Sequence, residues 1–277
     1  MKRIMTIQDI SCVGKCSLTV ALPVISAMGV ECGIVPTAVL STHTMFSGFT
    51  FKDLTDEMAP IADHWQKENF HFDAIYTGYL GSFEQINLVA DYIDRFKAED
   101  TVVFIDPVMA DNGKLYPGFT PEFADAMAKL CGKADVIVPN LTEACFMTHT
   151  EYREDWDEAY IRELLAKLAA LGAKKVVLTG ICFEEGKTGF VGMDSATGEF
   201  FTHAHDKVAA SYHGTGDIFS STAVGALMRG KTLPEALAIA GEYTKECIKV
   251  TVDNGKIGHY GVDFEEVIPY LVKLINE

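Results

Sequence analysis

Apolar residues run along this chain in two alternating patterns. Short unbroken runs occur at residues 4–7, 33–39, 74–77, 102–105, 136–138 and 176–179, several of them rich in β-branched side chains. Apolar runs without polar alternation are the mark of strands covered on both faces. Between them, residues 54–69, 84–97, 121–130 and 157–171 show helical amphipathic spacing, and 17–28 predicts a helix ended by Gly29. Residues 190–193 and 199–203, joined by Asp194-Ser195-Ala196-Thr197-Gly198, predict an antiparallel hairpin at a sheet edge. Three more helices, at 217–228, 233 to about 252 and 264–275, complete the chain. The pattern predicts a three-layer α-β-α fold whose central sheet is mostly parallel with an antiparallel edge hairpin. No repeat, low-complexity tract or linker interrupts it, so a single domain over residues 1–277 is expected.

In such a sheet, ligands bind at the carboxyl ends of the strands, so the loops there are where chemistry is sought. His213-Gly214-Thr215-Gly216-Asp217 precedes a helix. Its glycines let several N–H groups converge at a helix start, where a phosphoryl group in transfer would be stabilised. Asp217 there either caps the helix or takes a proton from an attacking hydroxyl. Asp106-Pro107-Val108-Met109-Ala110-Asp111 follows a strand and offers two carboxylates to Mg²⁺ or a monovalent cation, or else is an Asp-Pro turn. Pro139-Asn140-Leu141-Thr142-Glu143 opens a helix as half a capping box, or sets an amide and a carboxylate beside a nucleotide and its metal. Ser41-Thr42-His43-Thr44 and Thr77-Gly78-Tyr79-Leu80-Gly81 offer hydroxyls and an aromatic face to a flat heterocycle.

Two other readings fall away. Gly14-Lys15-Cys16-Ser17 lacks the first glycine of a Walker loop, since residue 9 is Asp, and has Cys16 where that loop needs Ser or Thr. Cys12, Cys16, His203 and His205 do not have the spacing of a structural zinc site.

A net charge of −16 sets a repulsive mean field against nucleic acid and requires any phosphate to be held by local devices. No run is apolar and long enough for a membrane span, and the N-terminus lacks a signal-peptide pattern. Seven scattered cysteines do not form a disulfide framework, and a cytoplasmic location is expected.

Taken together and in this order, the strand-end motifs resemble the pyridoxal (vitamin B6) kinases of the ribokinase-like superfamily, from about residue 4 to about residue 250. The motifs are Ile7-Gln8, Ser41-Thr42-His43-Thr44, Thr77-Gly78-Tyr79-Leu80-Gly81, Asp106-Pro107-Val108, Pro139-Asn140 with Glu143, and Gly214-Thr215-Gly216-Asp217. The resemblance implies ATP-dependent phosphorylation of the 5′-hydroxymethyl group of pyridoxal, pyridoxine or pyridoxamine. It makes Asp217 the base and the backbone of Gly214, Thr215 and Gly216 the anion hole. It places Asp9, His43, Thr44 and Tyr79 at the vitamer, and Asp106, Asn140, Thr179 and Thr215 at ATP. Asp106, Asp111 and Glu143 would surround Mg²⁺ and a monovalent cation such as K⁺. A homodimer and a mobile lid are also implied.

One position departs from the resemblance. Such kinases commonly have Ser after Ile-Gln, whereas here Asp9 stands there. A carboxylate could accept from a protonated ring nitrogen or pair with the amine of pyridoxamine, or it caps a turn away from the ligand. The alternatives in function are a hydroxymethylpyrimidine kinase of the same fold and a non-catalytic B6-binding protein.

Overall fold

The computed structural model describes residues 1–256 and 259–277. Each apolar run predicted as a covered strand is a strand. In chain order the elements are β1 (Arg3–Ser11), α1 (Leu18–Ala27), β2 (Glu31–Leu40), β3 (Phe51–Asp53), α2 (Thr55–Lys67), β4 (Ala74–Thr77) and α3 (Phe83–Phe96). Next come β5 (Val102–Ile105), β6 (Ala110–Asp111), β7 (Lys114–Leu115), α4 (Pro121–Cys131), β8 (Val136–Ile137), α5 (Leu141–Met147) and α6 (Glu158–Ala170). The chain ends with β9 (Lys175–Thr179), β10 (Lys187–Asp194), β11 (Phe200–Asp206), α7 (Thr215–Met228), α8 (Leu233–Asp253), a 3₁₀ turn (Glu265–Val267) and α9 (Ile268–Asn276). The residues group into two units, Met1–Gly78 with Lys207–Glu277, and Tyr79–Asp206.

In the first unit β1 lies between β2 and β4, parallel to both, and β3 runs antiparallel along β2. Burial explains the continuous apolar run of β1: Ile4, Met5 and Ile7 are all inaccessible. The ladder with β2 slips near the end of β1, where Gln8 faces Pro36 but Ile10 faces Val39. Pro36 has no N–H for a ladder, and an irregularity there re-aims the side chains around it. Helix α1 packs on β1 and β2, and α7 packs on both α1 and α8. Val20, Val24, Met28, Ile218, Tyr243 and Leu271 belong to the apolar core these helices share.

The end of the chain is fastened to the loop after β1 by one buried carboxylate. Asp263 accepts from Lys15 Nζ at 2.9 Å, Lys256 Nζ at 2.8 Å and Asn254 Nδ2 at 2.9 Å. Its own N–H donates to Thr251 Oγ1 at 2.8 Å, and that hydroxyl donates to the Cys247 carbonyl at 2.6 Å. Lys15 Nζ also reaches Glu265 at 2.7 Å.

The second unit is built around parallel β5, β8 and β9, followed by antiparallel β10 and β11. Helix α6 packs against β9 and β10, α5 against β9, and α4 joins α3 to α5. The predicted hairpin is thus β10–β11, at one edge.

Four features differ from the reading of the pattern. Strand β3 is three exposed residues, too short and polar to register as an apolar run. Strands β6 and β7 form a small hairpin whose turn residues Asn112 and Gly113 both have positive φ, 50° and 74°. That is the geometry Asn-Gly selects, but flanks of two residues hid the signal. Helix α7 begins at Thr215, two residues before the predicted start. The last helix divides at the 3₁₀ turn because Pro269 has no N–H and fits only in the opening turn of α9.

Asp263 yields a stability prediction. Burial works to raise its carboxyl, but the bonds from Lys256, Asn254 and Lys15 outweigh this and hold it well below the usual range. A depressed folded-state pKa adds stability above the unfolded value near ~4, and that contribution is lost as pH falls through the folded value. Asp263→Asn should lose about 2 kcal/mol at pH 7, since it weakens the buried acceptor of three donors while Lys15 keeps Glu265. Below pH ~4 the variant's stability should also fall less steeply than that of the unaltered chain. Urea unfolding across a pH series measures both; equal stability at every pH would refute the assignment.

Candidate active site

The start of α7 has the backbone of an anion site. Gly214 is its N-cap, left-handed at φ 79°, so the cap residue itself brings no side chain to the first helical N–H groups. A side chain at Gly214 is excluded twice over: a Cβ would lie 1.9 Å from the Lys15 carbonyl oxygen, and the φ is one L-residues resist. The turn after β1 therefore presses directly on the turn before α7. Thr215 Oγ1 donates to the Tyr212 carbonyl at 3.2 Å, fixing the threonine beside the turn. Asp217 is the acidic residue of the first helical turn and is half-buried. The N-cap position itself belongs to Gly214, and Asp217 stands two residues inside the helix.

Asp9 sits beside this turn, buried at 5% exposure. One carboxylate oxygen accepts from Ser17 Oγ at 2.6 Å and the other from Ser11 Oγ at 3.0 Å. Burial pushes its carboxyl up, against the opposite pull of those two hydroxyls. Cys16 lies next to both acids: burial first, then the charges of Asp217 and Asp9, push its thiol far up. Cys16 is therefore a neutral packing group and not a nucleophile.

His43 is buried, with its ring centroid 4.2 Å from that of His213. Phe46 stands 4.8 Å from His43 and 4.5 Å from His259. Burial, then the neighbouring His43 and His259, lower His213 to about 4, so this residue is neutral near pH 7. Burial lowers His43 as well. Thr44, next in the chain, is exposed. The first unit thus gathers Asp9, His43 and the segment Gly214–Asp217, joined by His213, the first residue of the predicted motif, and by Cys16 and His259, to which the sequence had assigned no role.

The second unit gathers the remaining candidates at its strand ends. Asn140 and Thr179 are bridged as parallel neighbours, and Thr179 Oγ1 donates to the Pro139 carbonyl at 3.4 Å. Asn140 and Glu143 complete a full capping box, with both bonds at 2.9 Å. Asn140 Nδ2 also donates to the Ala110 carbonyl at 2.8 Å, and Glu143 accepts from the Met109 N–H at 3.1 Å. Both residues are thus structural elements of α5, whatever else they touch. The Tyr79 ring stands 5.6 Å from that of Phe119, which stacks on Phe123 at 4.1 Å.

The donor set of this unit suits a hard cation held by few protein ligands. Glu143 is pushed well up by burial and then by the charge of Asp106, itself buried at 7% exposure. A cation beside the pair would turn that repulsion into attraction. Asp111 is exposed and folds onto Asn112, whose backbone N–H and side-chain Nδ2 reach it at 2.8 and 3.0 Å. Among the described residues no three His, Cys, Asp or Glu side chains converge on one metal position. Mg²⁺ commonly takes one or two carboxylates and completes its shell with water and phosphate, which fits such a pair.

A cleft of about 430 Å³ lined by His149, Arg153, Tyr160 and Lys167 contains none of the predicted site residues. Among the described residues no helix is long and apolar enough to cross a membrane, and all seven cysteines are free.

Comparison with known proteins agrees with this picture. A Bacteroides thetaiotaomicron VPI-5482 protein, in a crystal form containing pyridoxal, is 39% identical. The match covers 98% of this chain and 95% of that one, with a TM-score of 0.90. Pyridoxal kinase from Lactobacillus plantarum is 30% identical with a TM-score of 0.90, covering 99% of this chain and 98% of that one. The pyridoxine/pyridoxal/pyridoxamine kinase of Bordetella avium (strain 197N) is 28% identical over 267 residues, 90% of this chain and 85% of that protein. The mostly parallel sheet flanked by helices is the ribokinase-like fold of these kinases. The sequence model described as phosphomethylpyrimidine kinase matches residues 21–263, and the chain belongs to that family, with pyridoxal kinases among its relatives.

Proposed function

We propose that this chain transfers the γ-phosphoryl group of ATP to the 5′-hydroxymethyl group of pyridoxal, pyridoxine or pyridoxamine. The observation that carries this reading is the opening of α7, a helix start whose cap residue is left-handed Gly214, with Asp217 in its first turn. A helix start favours negative charge, and backbone N–H groups of the Gly214–Gly216 turn would receive the phosphoryl oxygens. Asp217 would take the proton of the attacking hydroxyl, leaving an alkoxide-like oxygen to bond to phosphorus as the bond to ADP breaks.

His43, Thr44 and Tyr79 would line the pyridine pocket. Neutral His43 and His213 bring no positive charge to compete for the phosphate, and they present flat apolar faces suited to a heterocycle. Asn140, Thr179, Asp106 and Thr215 would contact ATP. Mg²⁺, held chiefly by Asp106 and Glu143 with Asp111 near the same strand end, would neutralise phosphate charge when bound; K⁺ is the candidate monovalent ion. Kinase relatives that match along 90% of the chain support an enzyme acting as one kinase domain, the scattered cysteines of the sequence support a cytoplasmic location, and the resemblance supports a homodimer. The pyridoxal-containing crystal form of the Bacteroides protein supports the choice of vitamer class.

A second reading is a hydroxymethylpyrimidine kinase, favoured by the description of the matching family model. An ADP-coupled assay with the three vitamers and hydroxymethylpyrimidine separates them. The B6 reading expects the highest kcat/KM on a vitamer. A higher value on the pyrimidine selects the second reading, and tight vitamer binding without turnover selects a binding protein.

Asp217→Asn should lower kcat by about 10² or more with little change in KM for ATP, as removal of a general base requires. Retained turnover would overturn the role of Asp217. Gly214→Ala should abolish activity and lower the Tm, since its Cβ would strike the Lys15 carbonyl; an active, stable variant would show that the close approach is not needed.

A further inference from the structure

The loop between β1 and α1 carries a strained residue that the proposed chemistry leaves unexplained. Ser17 has φ 51°, a conformation rare for a residue with a side chain, and it occupies the N-cap position of α1. It does not cap: its hydroxyl makes no bond to the helix N–H groups. It donates instead to Asp9 Oδ1 at 2.6 Å, while Ser11 holds Oδ2 at 3.0 Å. The Ser17 carbonyl accepts from Val20 and Ala21 N–H at 3.0 and 2.8 Å, so the residue is fixed to the helix through its backbone and to β1 through its side chain.

Asp9 sits where the ladder with β2 slips, between Gln8 opposite Pro36 and Ile10 opposite Val39. The slip releases Asp9 from register, and the carboxylate turns to the loop. Between Asp9 and Ser17 lie Lys15 and Cys16, the two residues against which Gly214 is pressed: its Cβ would be 1.9 Å from Lys15 O and 3.4 Å from Cys16 Cα. A shift of the Lys15–Cys16 peptide would move the Gly214 turn. A misplacement near 1 Å can cost about 10²-fold in rate.

We infer that Asp9 is a positioning residue: through Ser17 it sets the Lys15–Cys16 peptide that backs the Gly214 turn, and so acts on phosphoryl transfer and not on the choice of vitamer. This rests on the Gly214–Gly216 turn being the anion hole. It competes with the expectation that the Asp9 carboxylate meets the substrate, because both its oxygens are already bonded to hydroxyls of this loop.

The test compares steady-state kinetics of Asp9→Asn, Asp9→Ser and Ser17→Ala with those of the unaltered chain, using ATP and each of the three vitamers. A positioning role gives kcat lower by about tenfold to a hundredfold in each variant, with KM for every vitamer within about twofold and their order unchanged. A reordered preference in Asp9→Ser with kcat retained makes Asp9 a substrate contact and overturns the inference. Unchanged kcat in both Asp9→Asn and Ser17→Ala overturns it too. Ser17→Gly accepts the positive φ without strain and serves if the others do not fold; its kcat should fall, and an unaltered value counts against the inference. Should the unaltered chain phosphorylate only hydroxymethylpyrimidine, the B6 reading fails. The same kcat and KM criteria then judge Asp9 on that alcohol.

Discussion

Lys15 is clamped between a carboxylate and a glycine, and the candidate chemistry of the first unit hangs on that clamp. Its ammonium meets Asp263 at 2.9 Å with only 4% of the Asp263 side chain exposed, so the pair is shielded from water and salt. Its backbone N–H donates to the Tyr260 carbonyl at 3.0 Å, and its carbonyl abuts Gly214. A contact of this kind tolerates little drift, because the three atoms nearest to a Cβ at Gly214 are all backbone. The end of the chain after α8 is therefore a structural support of the α7 turn, although it lies about 50 residues farther along the sequence. Tyr212 reinforces the same support by donating to the Lys256 carbonyl at 2.6 Å.

Charge explains why such supports are backbone devices. A chain of net charge −16 that handles a nucleoside triphosphate has few cations to spend, and Lys15 is already paired with Asp263 and Glu265. A helix start supplies partial positive charge without a side chain, and it cannot be titrated away. The cation proposed beside Asp106 and Glu143 would be a second local device, drawing on carboxylates that otherwise repel each other. Acidity overall and phosphate handling locally are thus compatible.

The fold was legible because its strands are covered on both faces: the runs at 4–7, 74–77 and 102–105 have no polar alternation, and the structure buries them. What escaped was short or bonded across long sequence distance. Strand β3 is three exposed residues, and the β6–β7 turn is carried by Asn112-Gly113 alone. At the site, the half capping box at Asn140 was visible, while its completion through the Glu143 side chain needed coordinates. His259 and Asp263 had no local signal, since their partners His43, Phe46 and Lys15 lie more than 200 residues away. Asp9 was visible as a departure from the resemblance, but its bonds to Ser11 and Ser17 were not.

Those bonds change how a carboxylate beside a kinase turn should be understood. Burial first, then the charges of Asp217 and Asp9, raise the Cys16 thiol, so both acids act on this one group. Were Asp9 bare, its charge would repel the phosphate that the α7 turn is built to receive. Two hydroxyls instead donate to it, spreading and screening the charge inside the loop. The Cys16 thiol stays neutral and adds no charge of its own. Ser17 accepts an unfavourable φ to complete that arrangement, and strain of this kind persists only where surrounding contacts over-determine it. In this loop the over-determination comes from three sides: β1 through Asp9, α1 through the Ser17 carbonyl, and the chain end through Lys15. An aspartate in place of the usual serine is therefore coherent with phosphoryl transfer, provided its charge is bound within the loop before the phosphate arrives.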